Sequence, residues 1–213
     1  MILSKLNLDI TCSQAKKDLA NPYSMHRTIM RAFPTPLPEE ERVLFRVENI
    51  LDSGIPFVLV QSQTQPEWEK ITQVYSIYFS EPPQIKSLQS LQIKKGDLLR
   101  FRLRANPTKR VLYQRTQKSQ RISLFSEEDC KQWLLRKAEK GGFLIHLDSL
   151  LITPAPYRTM VITKEEKTHK ATINMVDFSG VLKVGDGEKL ILSIAQGIGP
   201  AKGLGCGLLS LSR

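Results

Sequence analysis

Alternating apolar and polar positions open the chain. Within Ile2–Ile10, Leu6, Leu8 and Ile10 fall on one side of an extended segment, which predicts a strand with one buried face. Ser13–Leu19 reads as a short helical stretch that breaks at Asn21-Pro22. That pair then starts a second helix: the asparagine oxygen can accept from an otherwise unpaired N–H, and proline at the first helical position has no N–H to lose. Over Pro22–Phe33, at roughly 100° per residue, Met25, Ile29, Ala32 and Phe33 form one apolar stripe. Tyr23, His26 and Met30 lie on the adjacent flank, and Arg27 and Arg31 continue the polar side. Pro34, Pro36 and Pro38 end the helix. Val43–Ile50 and Phe57–Thr64 read as two strands joined by a turn at Asp52-Ser53-Gly54, and Pro66 opens a further helix running to Phe79. After Pro82-Pro83 comes a strand in which Leu99, Phe101 and Leu103 alternate with Arg100, Arg102 and Arg104. The order is β-α-β-β-α-β.

A polar, basic connection (Thr108–Gln120) follows, and a similar series begins again. Arg121–Phe125 reads as a short strand. Ser126 and the acids after it begin a helix that ends in basic residues at Gly141-Gly142, as the helix dipole prefers. Gly142–Thr153 and Ala171–Val184 are strand-like and flank a charged hairpin loop at Lys164–Lys170; Gly187–Gly197 is helical and Leu204–Leu211 is a last strand. The expected fold is therefore α+β, with two tandem ferredoxin-like (βαββαβ, RRM-like) domains over residues 1–112 and 118–213. The duplication rests on element order, since no internal sequence repeat is visible.

The charge is unevenly spread. The 213 residues carry a net +10, which favours a polyanionic partner. The excess is local: residues 1–93 hold 9 basic and 10 acidic side chains, whereas residues 94–121 hold 10 and 1. A half-buried strand there would present an arginine ladder to solvent. Charges that protect an exposed sheet edge are the structural alternative. Lys109, Arg110, Arg115, Lys118 and Arg121 exceed what edge protection needs and favour a phosphate-tracking surface. No stretch approaches the roughly 18 apolar residues of a membrane span, and Met1–Ile10 lacks a signal-peptide layout, so a cytoplasmic protein without a membrane partner is expected. Cys12, Cys130 and Cys206 are odd in number and far apart, which argues for buried thiols over disulfides or a zinc site.

Candidate chemistry is sparse. There are three histidines, His26, His146 and His169. His26 shares a helix flank with Tyr23, one turn away, and with nearby arginines, so a Tyr, a His and an Arg can converge on one phosphate. A boundary histidine bonded to backbone is the alternative for each. The tail Gly197–Leu211 (GIGPAKGLGCGLLSL) places Gly197, Gly199, Gly203, Gly205 and Gly207 close together with Lys202. Such a segment lets backbone approach a phosphate, or makes a tight helix-to-strand connection. Neither metal-ligand spacing nor a Ser-His-Asp or Cys-His pattern is present, so no cofactor or metal is expected.

Taken together, Asn21–Arg27 (NPYSMHR), Phe101–Lys109 (FRLRANPTK) and Gly197–Leu211 closely resemble the CasE family, the type I-E CRISPR repeat-processing endoribonucleases of the Cascade complex. The resemblance spans both expected domains. It implies metal-independent cleavage of precursor CRISPR RNA at the base of the repeat hairpin by 2′-OH attack. The products would be a 2′,3′-cyclic phosphate and a 5′-OH, with the processed RNA staying bound among other Cascade subunits. His26 is implied as general acid/base and Tyr23 as its partner, their division of labour open, and Arg31 as the cation on the phosphoryl oxygens. Arg27, Arg102, Arg104, Lys109, Arg110, Lys118, Arg121, Arg158, Lys202, Gly199 and Gly203 are the candidate RNA contacts. A non-catalytic subunit binding the same RNA hairpin is the second reading, and a general DNA-binding protein the third.

Overall fold

The computed structural model describes residues 1–49, 56–88, 92–113, 118–155, 158–164 and 167–213. The chain divides into a first unit, Met1–Gln92 with Ala195–Gly197 and Lys202–Leu208, and a second, Ile93–Ile194 with Ile198–Ala201 and Leu209–Arg213. The expected boundary between residues 112 and 118 thus moves about twenty residues toward the N-terminus.

In the first unit, β1 (Ile2–Asn7), α1 (Ser13–Ala20), α2 (Pro22–Met30), β2 (Leu44–Asn49), β3 (Pro56–Ser62), α3 (Glu69–Thr72) and β4 (Gln84–Ser87) follow in order. The sheet runs β2-β3-β1-β4, all pairs antiparallel, which is the split βαβ arrangement. Alternation along β1 and β3 turns Leu6, Val58 and Val60 toward the α2 stripe, where Met25 and Ile29 are buried with Phe45 and Trp68 in one core. The Asn21 cap forms as expected, its oxygen accepting from the Tyr23 N–H at 3.0 Å. The helix ends sooner than expected, because the N–H groups of Arg31, Ala32 and Phe33 turn to carbonyls three residues back and tighten the chain. The helix expected over residues 66–79 shrinks to four residues. Past it, the chain turns to bury Tyr78 and to bridge Phe79 with Leu8, a tertiary gain that continued helix would forgo. The turn expected at Asp52-Ser53-Gly54 lies outside the described residues.

Asp18 locks the two helices together. Its carboxylate is 1% exposed and accepts from Ser24 Oγ at 2.6 Å, Gln14 Nε2 at 2.8 Å and Tyr78 OH at 2.7 Å. Burial and the Asp18 charge both push the Tyr78 phenol far above its ordinary pKa, so it stays a donor. Asp18→Ala strands these donors, and a cost of about 3 kcal/mol is expected, lowering the Tm on the order of 10 °C. Thermal unfolding followed by circular dichroism reads this directly, and an unchanged Tm would refute the assignment.

The second unit contains β5 (Leu98–Ala105), β6 (Thr108–Tyr113), β7 (Lys118–Ser123), α4 (Glu127–Lys140), β8 (Phe143–Ile145), β9 (Leu151–Pro154), β10 (Arg158–Lys164), β11 (Lys167–Ile173), β12 (Val176–Val184), α5 (Gly187–Gln196) and β13 (Leu209–Ser212). Its main sheet runs β13-β5-β12-β8, with β9 also on β12. The arginine strand is therefore the first strand of the second sheet and not the last of the first, whose fourth strand is the short β4. Its alternation is as expected: Leu99, Phe101 and Leu103 are buried, Arg100 and Arg102 exposed. Strands flank β5 on both sides, so edge protection cannot explain its charge.

The basic connection is itself an antiparallel hairpin, β6 with β7, and the Arg121 strand belongs to it. A second hairpin pairs β10 with β11 and takes up most of the expected Lys164–Lys170 loop. The long strands expected over Gly142–Thr153 and Leu204–Leu211 break up: β8 and β9 flank a 3-10 turn at Leu147–Ser149, and another turn covers Lys202–Leu204 before β13. All three cysteines are buried free thiols. No helix among the described residues is long and apolar enough to cross a membrane.

Candidate active site and nucleic-acid interface

His26 sits on α2 one turn after Tyr23, both half-buried. One face of its imidazole stacks on Phe45 of β2, with ring centroids 6.5 Å apart and planes at 19°. Gly203 lies against the ring as well, so close that a Cβ there would stand 3.5 Å from Cε1 and Nε2. Gly205 continues the same segment onto the Phe45 ring with φ +84, a left-handed conformation that glycine adopts freely. Nδ1 is buried with no protein partner among the described residues. Burial lowers the His26 pKa below its ordinary 6.5, so the ring is neutral at pH 7 and able to accept a proton.

Arg27 of α2 and Arg31, which caps its C-terminus, occupy a different flank. Arg31 lies over the Tyr75 ring at 5.9 Å and, with Arg27, Lys17, Ser24 and Thr28, lines a polar cavity of about 120 Å³. The structure thus gathers His26 with Gly203, and Arg27 with Arg31, on two sides of one short helix. Lys17 joins that cavity from α1, a residue that no motif or charge cluster marks in the sequence.

The remaining candidates divide by fate. Arg102, Lys109, Arg110 and Arg121 are exposed in the second unit. Arg104 is committed instead to a two-pronged pair with Asp177 on the neighbouring strand, Nε and Nη2 each 2.7 Å from a carboxylate oxygen. The pair joins β5 to β12 across the sheet. Gly199, also placed among the RNA contacts, packs on Trp133 with φ +86; a Cβ there would stand 2.9 Å from the indole. Close packing explains that glycine. Lys202 neighbours Gly203 in the first unit. The Lys118 and Arg158 side chains, like that of His169, lie outside the described residues, although their strands are described. His146 is exposed just past β8 and not within a strand. The basic end of α4, read from the sequence only as a match to the helix dipole, places Arg136, Lys137 and Lys140 around a cavity of about 230 Å³ shared with Thr108 and Lys109.

Tandem split-βαβ units bearing an exposed basic hairpin and a desolvated histidine define a ferredoxin-like protein built to meet nucleic acid. The family described as CRISPR associated protein matches residues 1–213. The chain is 36% identical over 219 residues to the CRISPR-associated endoribonuclease Cse3 of Thermus thermophilus, covering 100% of each. It is 33% identical over 198 residues to the Cascade subunit CasE of Escherichia coli, covering 89% of this chain and 91% of that one. Among solved structures, Thermus thermophilus Cse3 bound to an RNA representing a pre-cleavage complex superposes with TM-score 0.79 at 34% identity, covering 100% of this chain and 98% of that one. The chain belongs to the CRISPR-associated CasE/Cse3 family.

Proposed function

We propose that this protein is a CRISPR repeat-processing endoribonuclease: it binds the repeat hairpin of precursor CRISPR RNA, cuts at its base without a metal, and keeps the product. The observation that carries the reading is His26, held neutral between Phe45 and Gly203 with Tyr23 one turn away. Family membership and the names of the relatives support the substrate. In the proposed step His26 Nε2 takes the proton of the ribose 2′-OH, and the oxygen attacks the adjacent phosphorus. The P–O5′ bond breaks, giving a 2′,3′-cyclic phosphate and a 5′-OH. The departing oxygen takes a proton from Tyr23, or from the His26 imidazolium with Tyr23 positioning the transfer. Arg27 and Arg31 supply positive charge to the flanking phosphates from the other side of α2.

The stem would be recognised through phosphates and shape, since A-form RNA hides its bases in a deep, narrow major groove. Arg102, Lys109, Arg110 and Arg121 supply cations for this, with Lys118, Arg158 and Lys202 as further candidates. Other Cascade subunits are the expected protein partners, and the cytoplasm, where the transcript is, the expected compartment.

End-labelled repeat RNA incubated with the protein in EDTA tests the reading. A single cut at the hairpin base with cyclic-phosphate and 5′-OH ends is expected. Cutting only after Mg²⁺ is restored would overturn the metal-free mechanism, and binding with no cut would favour a purely structural subunit. The RNA surface has its own test. Lys109→Ala and Arg110→Ala should each weaken binding and flatten the salt dependence by roughly one unit of log K against log [salt]. Arg104→Ala should leave that slope unchanged, and a flattened slope would return Arg104 to the interface.

A further inference from the structure

Arg46 has no place in the chemistry above, yet it is among the largest fully buried side chains, 1% exposed. It lies on β2, the outermost strand of the first sheet. Alternation sends Phe45 into the helix-side core and Arg46 to the opposite face, where its Nε donates to Glu48 Oε1 at 2.6 Å. Its Nη1 donates to the Leu208 carbonyl at 2.8 Å. The segment holding Leu208 lies against β2, met by Arg46 from one face and by the Phe45 ring from the other. Gly197 meets Leu44, Gly205 meets the Phe45 ring, and Gly203 meets His26 on the helix side. A buried ion pair is a poor source of net stability, because desolvating both charges offsets most of their attraction. A fixed geometry is the better explanation for one at this place.

We propose that Arg46 is a positioning residue for the cleavage site, clamping the 202–208 segment by its Leu208 end so that Gly203 stays seated on the His26 ring. The inference rests on the function proposed above only for what His26 does with RNA. The clamp itself can be read in the free protein. Without it the segment loses its anchor on the far face of β2, water reaches the imidazole, and Nε2 loses its fixed direction. The charged and titratable groups on the elements packed around His26 are Arg46 and Glu48 on β2, Lys202 and Cys206 on the segment, Tyr23 and Arg27 on α2, and Arg31 just past its end. The aromatic Phe45 and the backbone of Gly203 are the surfaces that touch the ring.

The test is Arg46→Gln in the full chain, with a proton NMR titration of His26 in the absence of RNA and single-turnover cleavage of the repeat hairpin. The His26 midpoint should rise toward the ordinary value of about 6.5, and the cleavage rate should fall 10- to 100-fold with hairpin affinity held within threefold. Arg46→Lys, which keeps the charge but loses the fork, should move both readouts part of the way. Gly205→Ala strains the same segment from the Phe45 side and should shift the His26 titration in the same direction; it carries the test if Arg46→Gln does not fold. A folded variant in which the His26 titration is unmoved overturns the clamp, whatever happens to the rate. A shifted titration with unchanged cleavage would leave the Leu208 anchor standing but overturn Arg46 as a positioning residue for the cleavage site.

Discussion

His26→Ala is expected to cut the cleavage rate by about 10²- to 10⁴-fold, the range that one positioned proton transfer supplies, while hairpin affinity changes less than about threefold. The two effects separate because the proposed binding energy resides in cations elsewhere, on β5 and the β6–β7 hairpin, while His26 contributes one nitrogen. The measurement is single-turnover cleavage beside a filter-binding isotherm on the same RNA. An alanine variant that cuts as fast as the parent would remove His26 from the mechanism, and one that no longer binds would make it a recognition residue.

The pH profile gives the same prediction a sign. A base must be unprotonated to act, so the rate should rise as pH climbs through the His26 pKa and level off above it. Burial of the ring lowers that pKa, so the midpoint of kcat/KM, which reports free-enzyme groups, should fall below 6.5. If His26 acted chiefly as an acid, the rate would fall with rising pH over the same range. His26→Ala should erase whichever limb is present.

The fold was legible in the chain because its signals are local. Asn21-Pro22 announces α2 through an unpaired N–H, and the Leu99, Phe101, Leu103 alternation announces β5 through the pleat. What those signals do not carry is partnership. A strand that alternates well pairs equally well at the end of one sheet or the start of the next, so β5 could be recognised without its neighbours being known. The four-residue β4 is exposed at every position and leaves no apolar pattern to find. The site divides in the same way. Tyr23 and His26 share a flank by helical geometry alone, whereas Phe45 and Gly203 reach the ring from 19 and 177 residues away along the chain. Arg104 shows the cost of counting charge without partners: Asp177 lies 73 residues on, and only the β5–β12 register brings them together.

Replacing the ribose upstream of the scissile phosphate with deoxyribose is expected to abolish cleavage while leaving binding close to that of the all-RNA hairpin. The 2′-oxygen is the nucleophile in the proposed step, and no side chain in this arrangement takes its place: His26 moves a proton and forms no bond to phosphorus. Affinity should survive because the proposed contacts are with phosphates and with the A-form stem, which one missing hydroxyl barely alters. The modified RNA should then behave as a competitive inhibitor with a Kd within about threefold of substrate, measured by displacement of labelled product. This substitution discriminates in a way that no protein variant can, since the enzyme is untouched and misfolding cannot mimic the result. Cleavage of the deoxy substrate at a normal rate would mean that water or a side chain attacks instead. Equal binding of an all-DNA hairpin would mean that the protein reads phosphate charge and not the shape of an RNA stem.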